Sequence, residues 1–206
     1  RPFLVKEQKT LMILQEGEDK KNVYNALIEI LNNCTFNNVN ANKMPIFDFE
    51  YVFLKIRSKS VGETAEISVL CPDDDETRIT VNVNLDDIDV QVSDEHVNTI
   101  QVTDSVSMVL RWPTIKDISD LKTDDLVSGT MYLVNRCITE ITEGDTIHRR
   151  SDFSDKELTE FIDSLPTDTF EEIGKFFETM PKLLHVINVE NPKTKVKGEV
   201  TIEGID

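Results

Sequence analysis

PIFDFEYVFLKIRSKSVGETAEISVLC (residues 45–71) contains the change of period that decides the fold. In its first half, apolar side chains return on a helical repeat. Ile46, Phe49, Phe53 and Ile56 make one stripe, and Phe47, Tyr51 and Leu54 add apolar surface beside it. Pro45 suits a first helical turn. Asp48 and Glu50 come early and Lys55, Arg57 and Lys59 late, so charge complements the helix dipole at both ends. Gly62 is the expected stop. From Glu66 the repeat is two: Ile67, Val69 and Cys71 alternate with Glu66, Ser68 and Leu70.

The alternation continues beyond the turn at Pro72-Asp73-Asp74-Asp75. Ile79, Val81, Val83 and Leu85 take one face, followed by Ile88, Val90 and Val92, then Ile100 and Val102, then Val106, Met108, Leu110 and Trp112. This pattern predicts an antiparallel meander with one apolar and one polar or acidic face. Toward the N-terminus, residues 4–16 read as a helix closed by Gly17. A clearer one follows, with Val23, Ala26, Leu27, Ile30, Leu31 and Cys34 in a single stripe and Asp19 as its N-cap.

Toward the C-terminus, Leu126, Leu133, Val134, Cys137, Ile138 and Ile141 read as one helical stripe capped by Asp124 or Asp125. Ser154-Asp155-Lys156-Glu157 is a capping box, with Phe153 placed to staple onto Leu158. Leu158, Phe161, Ile162 and Leu165 form the buried face before Pro166. Phe170, Ile173, Phe177 and Met180 repeat the design before Pro181. Residues 184–190 and 195–203 flank the turn Asn191-Pro192-Lys193-Thr194 as a closing hairpin. The fold class is therefore α+β: a helical body with an inserted antiparallel β-meander and a C-terminal β-hairpin. Residues 1–62 form an N-terminal helical part, 63–113 an acidic β insert and 114–206 a C-terminal helical part. The first and last are expected to form one compact unit.

At 206 residues and 39% hydrophobic content, the chain can build a core without a disulfide or metal staple. No apolar run reaches the ~18 residues of a membrane span. No signal or transit peptide is visible. The chain opens at Arg1 without an initiator Met, and both ends are expected to be trimmed relative to the gene product. Cys34, Cys71 and Cys137 are far apart, which fits a reducing compartment. Cys34 and Cys137 fall on helical stripes, where a thiol acts as a small hydrophobe. Of the net charge of −17, residues 61–110 carry −11, with Arg78 alone against 12 Asp and Glu. Such a surface repels phosphate, which disfavours direct binding of nucleic acid or anionic lipid. It can instead solubilise a sheet face, or dock a basic partner as a DNA mimic would.

Catalytic signatures are missing. His96, His148 and His185 are isolated, and there is no CxxC or HExxH pair. Cys71-Pro72 resembles the opening of a zinc knuckle, but no second cysteine follows. Asp73, Asp74 and Asp75 lack EF-hand spacing. There is no GxSxG elbow and no glycine-rich phosphate loop. We therefore expect no metal, no cofactor and no catalytic residue. An unrecognised hydrolase would need a pocket holding two carboxylates. The candidate partner-binding residues are Phe47, Tyr51 and Trp112, as aromatic anchors, and Asp73, Asp74, Asp75, Asp86 and Asp87, as acidic contacts. The competing explanation for the aromatics is burial under a second packed layer.

The order of motifs carries a resemblance. RPFLVKEQK (1–9) leads to the stretch at 45–63, then to Cys71-Pro72, to DFSxxELxxFIDSLP (152–166), to FxxIxxFFxTMPKL (170–183) and to VTIEGI (200–205). Taken together, these resemble the baseplate hub family of T4-like contractile-tailed bacteriophages, over nearly the whole chain. The resemblance implies a protein made in the bacterial cytoplasm that builds the tail baseplate hub, as a component or an assembly factor. Its partners would be other baseplate hub proteins, and no enzymatic activity is implied. Relatives can carry a Cys-rich knuckle where this chain has only Cys71, so that metal site does not transfer.

Overall fold

The computed structural model describes residues 1–15, 20–123 and 125–204. Gly17, Asp19 and Asp124, three expected capping positions, lie outside the described residues. The chain forms two compact units. One comprises Arg1–Ala41, Phe47–Gln91 and Pro181–Asp206, the other Asn42–Ile46 and Val92–Met180.

The first unit begins with helices α1 (Val5–Gln15), α2 (Lys20–Cys34) and α3 (Ile46–Val61). On α2 the amphipathic stripe buries Leu27, Ile30, Leu31 and Cys34, as its spacing requires. Helix α3 ends at Gly62, whose φ of +124° suits a residue without a Cβ. Strands β1 (Thr64–Leu70) and β2 (Arg78–Asn84) then pair as an antiparallel hairpin in which Ile67 faces Val81. Strand β3 (Asp89–Gln91) follows, and the sequence resumes in this unit only with β8 (Lys182–Glu190) and β9 (Lys197–Glu203). The inner faces of these strands and α3 share a core of Leu54, Val83, Leu85, Ile88 and Leu183.

In the second unit, β4 (Thr99–Thr103), β5 (Val106–Leu110), α4 (Ile115–Ser119), α5 (Leu126–Cys137), β6 (Ile138–Glu143), β7 (Thr146–Arg149), α6 (Asp155–Asp163) and α7 (Thr167–Thr179) follow in order. Strands β4 to β7 make one antiparallel sheet in sequence order. Its apolar face carries Ile100, Met108, Leu110, Ile138 and Ile141, and Leu158, Ile162, Ile173 and Phe176 of α6 and α7 complete that core. The capping box of α6 is formed as the sequence indicates. Ser154 Oγ accepts from the Glu157 backbone N–H at 3.2 Å, and Glu157 Oε2 accepts from the Ser154 N–H at 2.8 Å. Asp125 caps α5 by accepting from the Ser128 N–H at 2.8 Å.

The α+β class and antiparallel pairing agree with the sequence, but several local expectations are corrected. Residues 63–113 are not one continuous meander: β1 and β2 pair with each other, β3 with β8, and β4 and β5 with β6 and β7. Alternation sets which face is buried but carries no information about which strand is the neighbour. The helical stripe expected to run through Ile141 stops at Cys137. Beyond it the β-branched run of Ile138, Thr139, Ile141 and Thr142 takes up strand geometry, with Leu110 opposite Ile138 and Met108 opposite Ile141. On α7 the buried positions are Thr169, Ile173 and Phe176, while Phe170 is 37% exposed. Helix α4 and strand β7 went unread, although Gly144 at φ +56° marks the β6–β7 turn.

Leu158 is fully buried where α6 meets the sheet. Leu158→Ala should therefore cost about 2–5 kcal/mol by chemical denaturation, against about 1 kcal/mol for loss of the cap in Ser154→Ala. Equal costs would show that the core, and not the cap, had been misassigned as dominant.

Candidate interaction surface

Of the 12 acidic residues between 61 and 110, all are exposed except Asp74, which is half-buried. They divide by what holds them. The turn after β1 coils so that the Asp75 N–H donates to Cys71 O at 3.1 Å, with Asp75 at φ +52°. This aims Asp73 and Asp74 toward the turn between β8 and β9. There the side chain of Asn191, itself 1% exposed, sits between them. Its Nδ2 donates to Asp73 Oδ1 at 3.0 Å and to Asp74 Oδ2 at 2.9 Å. The amide orientation is fixed because Asn191 Oδ1 accepts the Lys193 N–H at 2.9 Å, and a backbone N–H can only donate. Thr194 Oγ1 donates to Asp73 Oδ2 at 2.6 Å, and Thr77 Oγ1 to Asp74 Oδ2 at 2.6 Å. Hydrogen bonds from Thr194 and Asn191 hold Asp73 below the usual carboxylate range. Those from Thr77 and Asn191 hold Asp74 well below it. Beside this clamp, a Cβ built on Gly198 would come 2.6 Å from Pro72 Cγ, so the two turns approach too closely for any other residue.

Asp86 is also structural. Its Oδ2 lies 2.9 Å from Lys59 Nζ, and its Oδ1 accepts from Ser58 Oγ at 2.9 Å. These bonds, Lys59 first, lower its pKa. Asp75 and Asp87, by contrast, are exposed and make no ion pair among the described residues, as is also true of Glu66 on β1.

The aromatics separate in the same way. Phe47 is 6% exposed and belongs to the core, so it offers no surface to a partner. Tyr51 is half-buried against the core of the first unit, with Lys55 Nζ 5.1 Å from its ring centroid. That Lys55 ammonium also donates to the carbonyls of Leu85, Asp86 and Ile88 at 3.3, 3.0 and 3.1 Å, holding the loop between β2 and β3. Trp112 is 37% exposed. Its Nε1 donates to His96 Nε2 at 2.9 Å. An indole N–H only donates, so the neutral imidazole carries its proton on Nδ1 and donates it to Thr179 Oγ1 at 3.1 Å. The His96 ring also packs against Phe176 at 5.0 Å between centroids, and burial lowers its pKa. The sequence singled out Asp73, Asp74 and Trp112 but not Asn191, Thr194 or His96. Asn191-Pro192 was legible as a turn, whereas the pairing of His96 with Trp112 had no local signal.

Other polar groups are spent on packing. A cleft of about 200 Å³ beside α5 and α6 is lined by Tyr132, Asn135, Arg136, Asp155 and Asp163. There Asn135 Nδ2 donates to Asp155 O at 3.0 Å and Thr159 Oγ1 at 3.1 Å, and Arg150 pairs with the Asp155 carboxylate. Among the described residues, no three His, Cys, Asp or Glu side chains are grouped so as to hold a metal ion. No helix among them is long and apolar enough to cross a membrane. Cys34, Cys71 and Cys137 are buried free thiols, and burial pushes Cys137 up to about 12.

Charged turns on the outside and interlocked polar groups within describe the class: an acidic α+β scaffold. The chain belongs to the T4 bacteriophage base plate protein family, whose model matches residues 1–206. Its role is thus structural or in assembly, at the phage baseplate. No curated protein and no solved structure matches it.

Two measurements test this geometry. Asp73 and Asp74 are depressed below the ordinary 3.8, so their contribution is complete above that pH and is lost as pH falls through their folded pKa values. Asn191→Ala should lower stability at pH 7 by about 1–3 kcal/mol and flatten its decline below about pH 4 in urea titrations. An unaltered acid profile would exclude the clamp. Trp112 is the single tryptophan, so its emission reports on His96. His96 is depressed, so the stability it contributes is present above pH 6.5 and declines as pH falls below it. An emission change centred below pH 6.5 is expected, and it should vanish in His96→Gln.

Proposed function

We propose that this protein is a non-enzymatic structural or assembly factor of the central hub of the phage tail baseplate, acting through contacts with other hub proteins. The observation that carries this reading is the family match over residues 1–206. The physical support is the exposed acidic surface of residues 61–110 together with sheets that end in open edges. Among the described residues, strand β9 is paired only with β8, and β7 only with β6, where Ile147 is 60% exposed. Unpaired N–H and C=O groups on such edges can extend a sheet into a neighbouring chain. The protein would be made and would act in the host cytoplasm during assembly, and it would meet its partners at the baseplate.

The division among the acids determines how the charge should be tested. Removing Asp73, Asp74 or Asp86 would damage the fold as well as the surface. Glu66, Asp75 and Asp87 are the ones to neutralise, because they hold nothing in place. A second reading, that the acidic surface is a decoy for a basic nucleic-acid-binding protein, draws on the same exposure.

The triple variant Glu66→Gln, Asp75→Asn, Asp87→Asn should keep the wild-type melting temperature. It should also co-purify less with hub proteins, with an association weakened by added salt. Full association in the variant would remove the acidic surface from the interface, and a wild-type chain that joins no tail protein would overturn the hub assignment. Displacement of its partner by duplex DNA would favour the decoy.

A further inference from the structure

Among the described residues of the first unit, one shielded charged N–H has no hydrogen-bond acceptor. Arg57 lies on α3, at the wall of a groove of about 540 Å³ that is open along one side. The groove is otherwise lined mostly by apolar side chains, among them Leu11, Leu14, Leu27, Phe53, Ile67 and Ile202. Arg57 Nη1 is shielded from solvent, and no acceptor among the described residues hydrogen-bonds it. A shielded guanidinium N–H left unsatisfied weakens the fold, and an acceptor from beyond the described residues would satisfy it. A carboxylate is the group that matches a guanidinium fork.

We propose that this groove docks a segment of another baseplate protein, one that presents apolar side chains and a single carboxylate to Arg57. The proposal rests on the hub reading and deepens it by naming the docking surface. Charge complementarity sets the carboxylate. The form of the groove sets the kind of occupant: an open trough leaves one side of its contents uncovered, whereas small-ligand sites enclose most of theirs. On and just before α1, further apolar side chains are exposed: Leu4 by 52%, Val5 by 85%, Met12 by 61% and Ile13 by 59%. Exposed apolar side chains beside a groove suit a protein interface, and an apolar helix or strand laid in a groove is an established mode of recognition.

The test places a photo-crosslinking residue at Leu14 of the full chain in cells producing the phage and sequences the captured segment by mass spectrometry. The expected product is a segment of another tail protein with an Asp or Glu among apolar residues. Arg57→Glu should cut its yield at least about tenfold, with partial recovery in Arg57→Lys. The second readout needs no partner. Arg57→Met removes the unanswered charge and should raise the melting temperature by about 2–6 °C. A lipid adduct, no adduct, a captured segment without an acid, or an unchanged yield in Arg57→Glu each overturns the groove assignment. So does a fall in melting temperature in Arg57→Met. If Arg57→Glu still joins the hub normally, the groove fails while the hub reading stands. If the wild-type chain joins no tail protein, the hub reading is what has failed.

Discussion

The first unit depends on a closure. Its sequence leaves at Gln91 and returns at Pro181, so everything between must be looped out before β3 can meet β8. Joining the ends of a loop of that length costs on the order of 4 kcal/mol by (3/2)RT ln n. The ladder that makes the joint is short: Asp89 to Leu184, Val90 to Leu183, Gln91 to Lys182. Three pairs of backbone partners would be marginal alone. Leu183, 1% exposed, adds about 1.5–3 kcal/mol of side-chain burial in the core shared with Leu54 and Ile88. The Asn191 clamp then fixes the far end of β8 to the turn after β1, across 118 residues of sequence. Its hydrogen bonds go to ionised acceptors, which makes them stronger than neutral ones. The closing hairpin is thus held at both ends, and the sheet β3-β8-β9 exists only because both attachments hold.

The acidic residues consequently do two jobs that composition alone cannot separate. Asp73, Asp74 and Asp86 are ionised groups with assigned donors, and their lowered pKa values are the electrostatic trace of those donors. Asp75 and Asp87, next to them in sequence, have no such donors among the described residues and leave their charge on the surface. A run of three aspartates therefore contains two that brace the fold and one that only colours the field around it.

How much of this the sequence revealed follows from the range of each interaction. The box at Ser154–Glu157 closes within a single helical turn, and it was legible because every group it needs lies within four residues. The same is true of the turn at Asn191-Pro192 and the stop at Gly62. The partner of β3 was not legible, since a three-residue strand with one half-buried side chain pairs equally well on paper with any neighbour. Ile138 and Ile141 were misread because their spacing of three fits a helix. Only the ladder to β5 shows that strand pairing overrode it. His96 gave no signal at all, because what makes it specific is an indole 16 residues away and a threonine 83 residues away.

The two most instructive charges are treated in opposite ways. Asp117, 2% exposed, accepts from Arg111 at 2.7 and 3.2 Å, from Arg136 at 3.4 Å, and from the backbone N–H and hydroxyl of Thr114 at 2.9 and 2.7 Å. Burial opposes its ionisation, yet these donors outweigh burial and keep its pKa low. Removing that carboxylate would strand two arginines that are each more than a third exposed, at a cost of roughly 2–3 kcal/mol after solvent screening. Arg57 Nη1 meets no acceptor among the described residues, although Asp117 shows that this sequence can surround a buried charge with partners when folding requires it. A fold able to satisfy one charge so fully has no thermodynamic reason to keep another unanswered. The asymmetry therefore argues that Arg57 is set for a contact made after folding is complete.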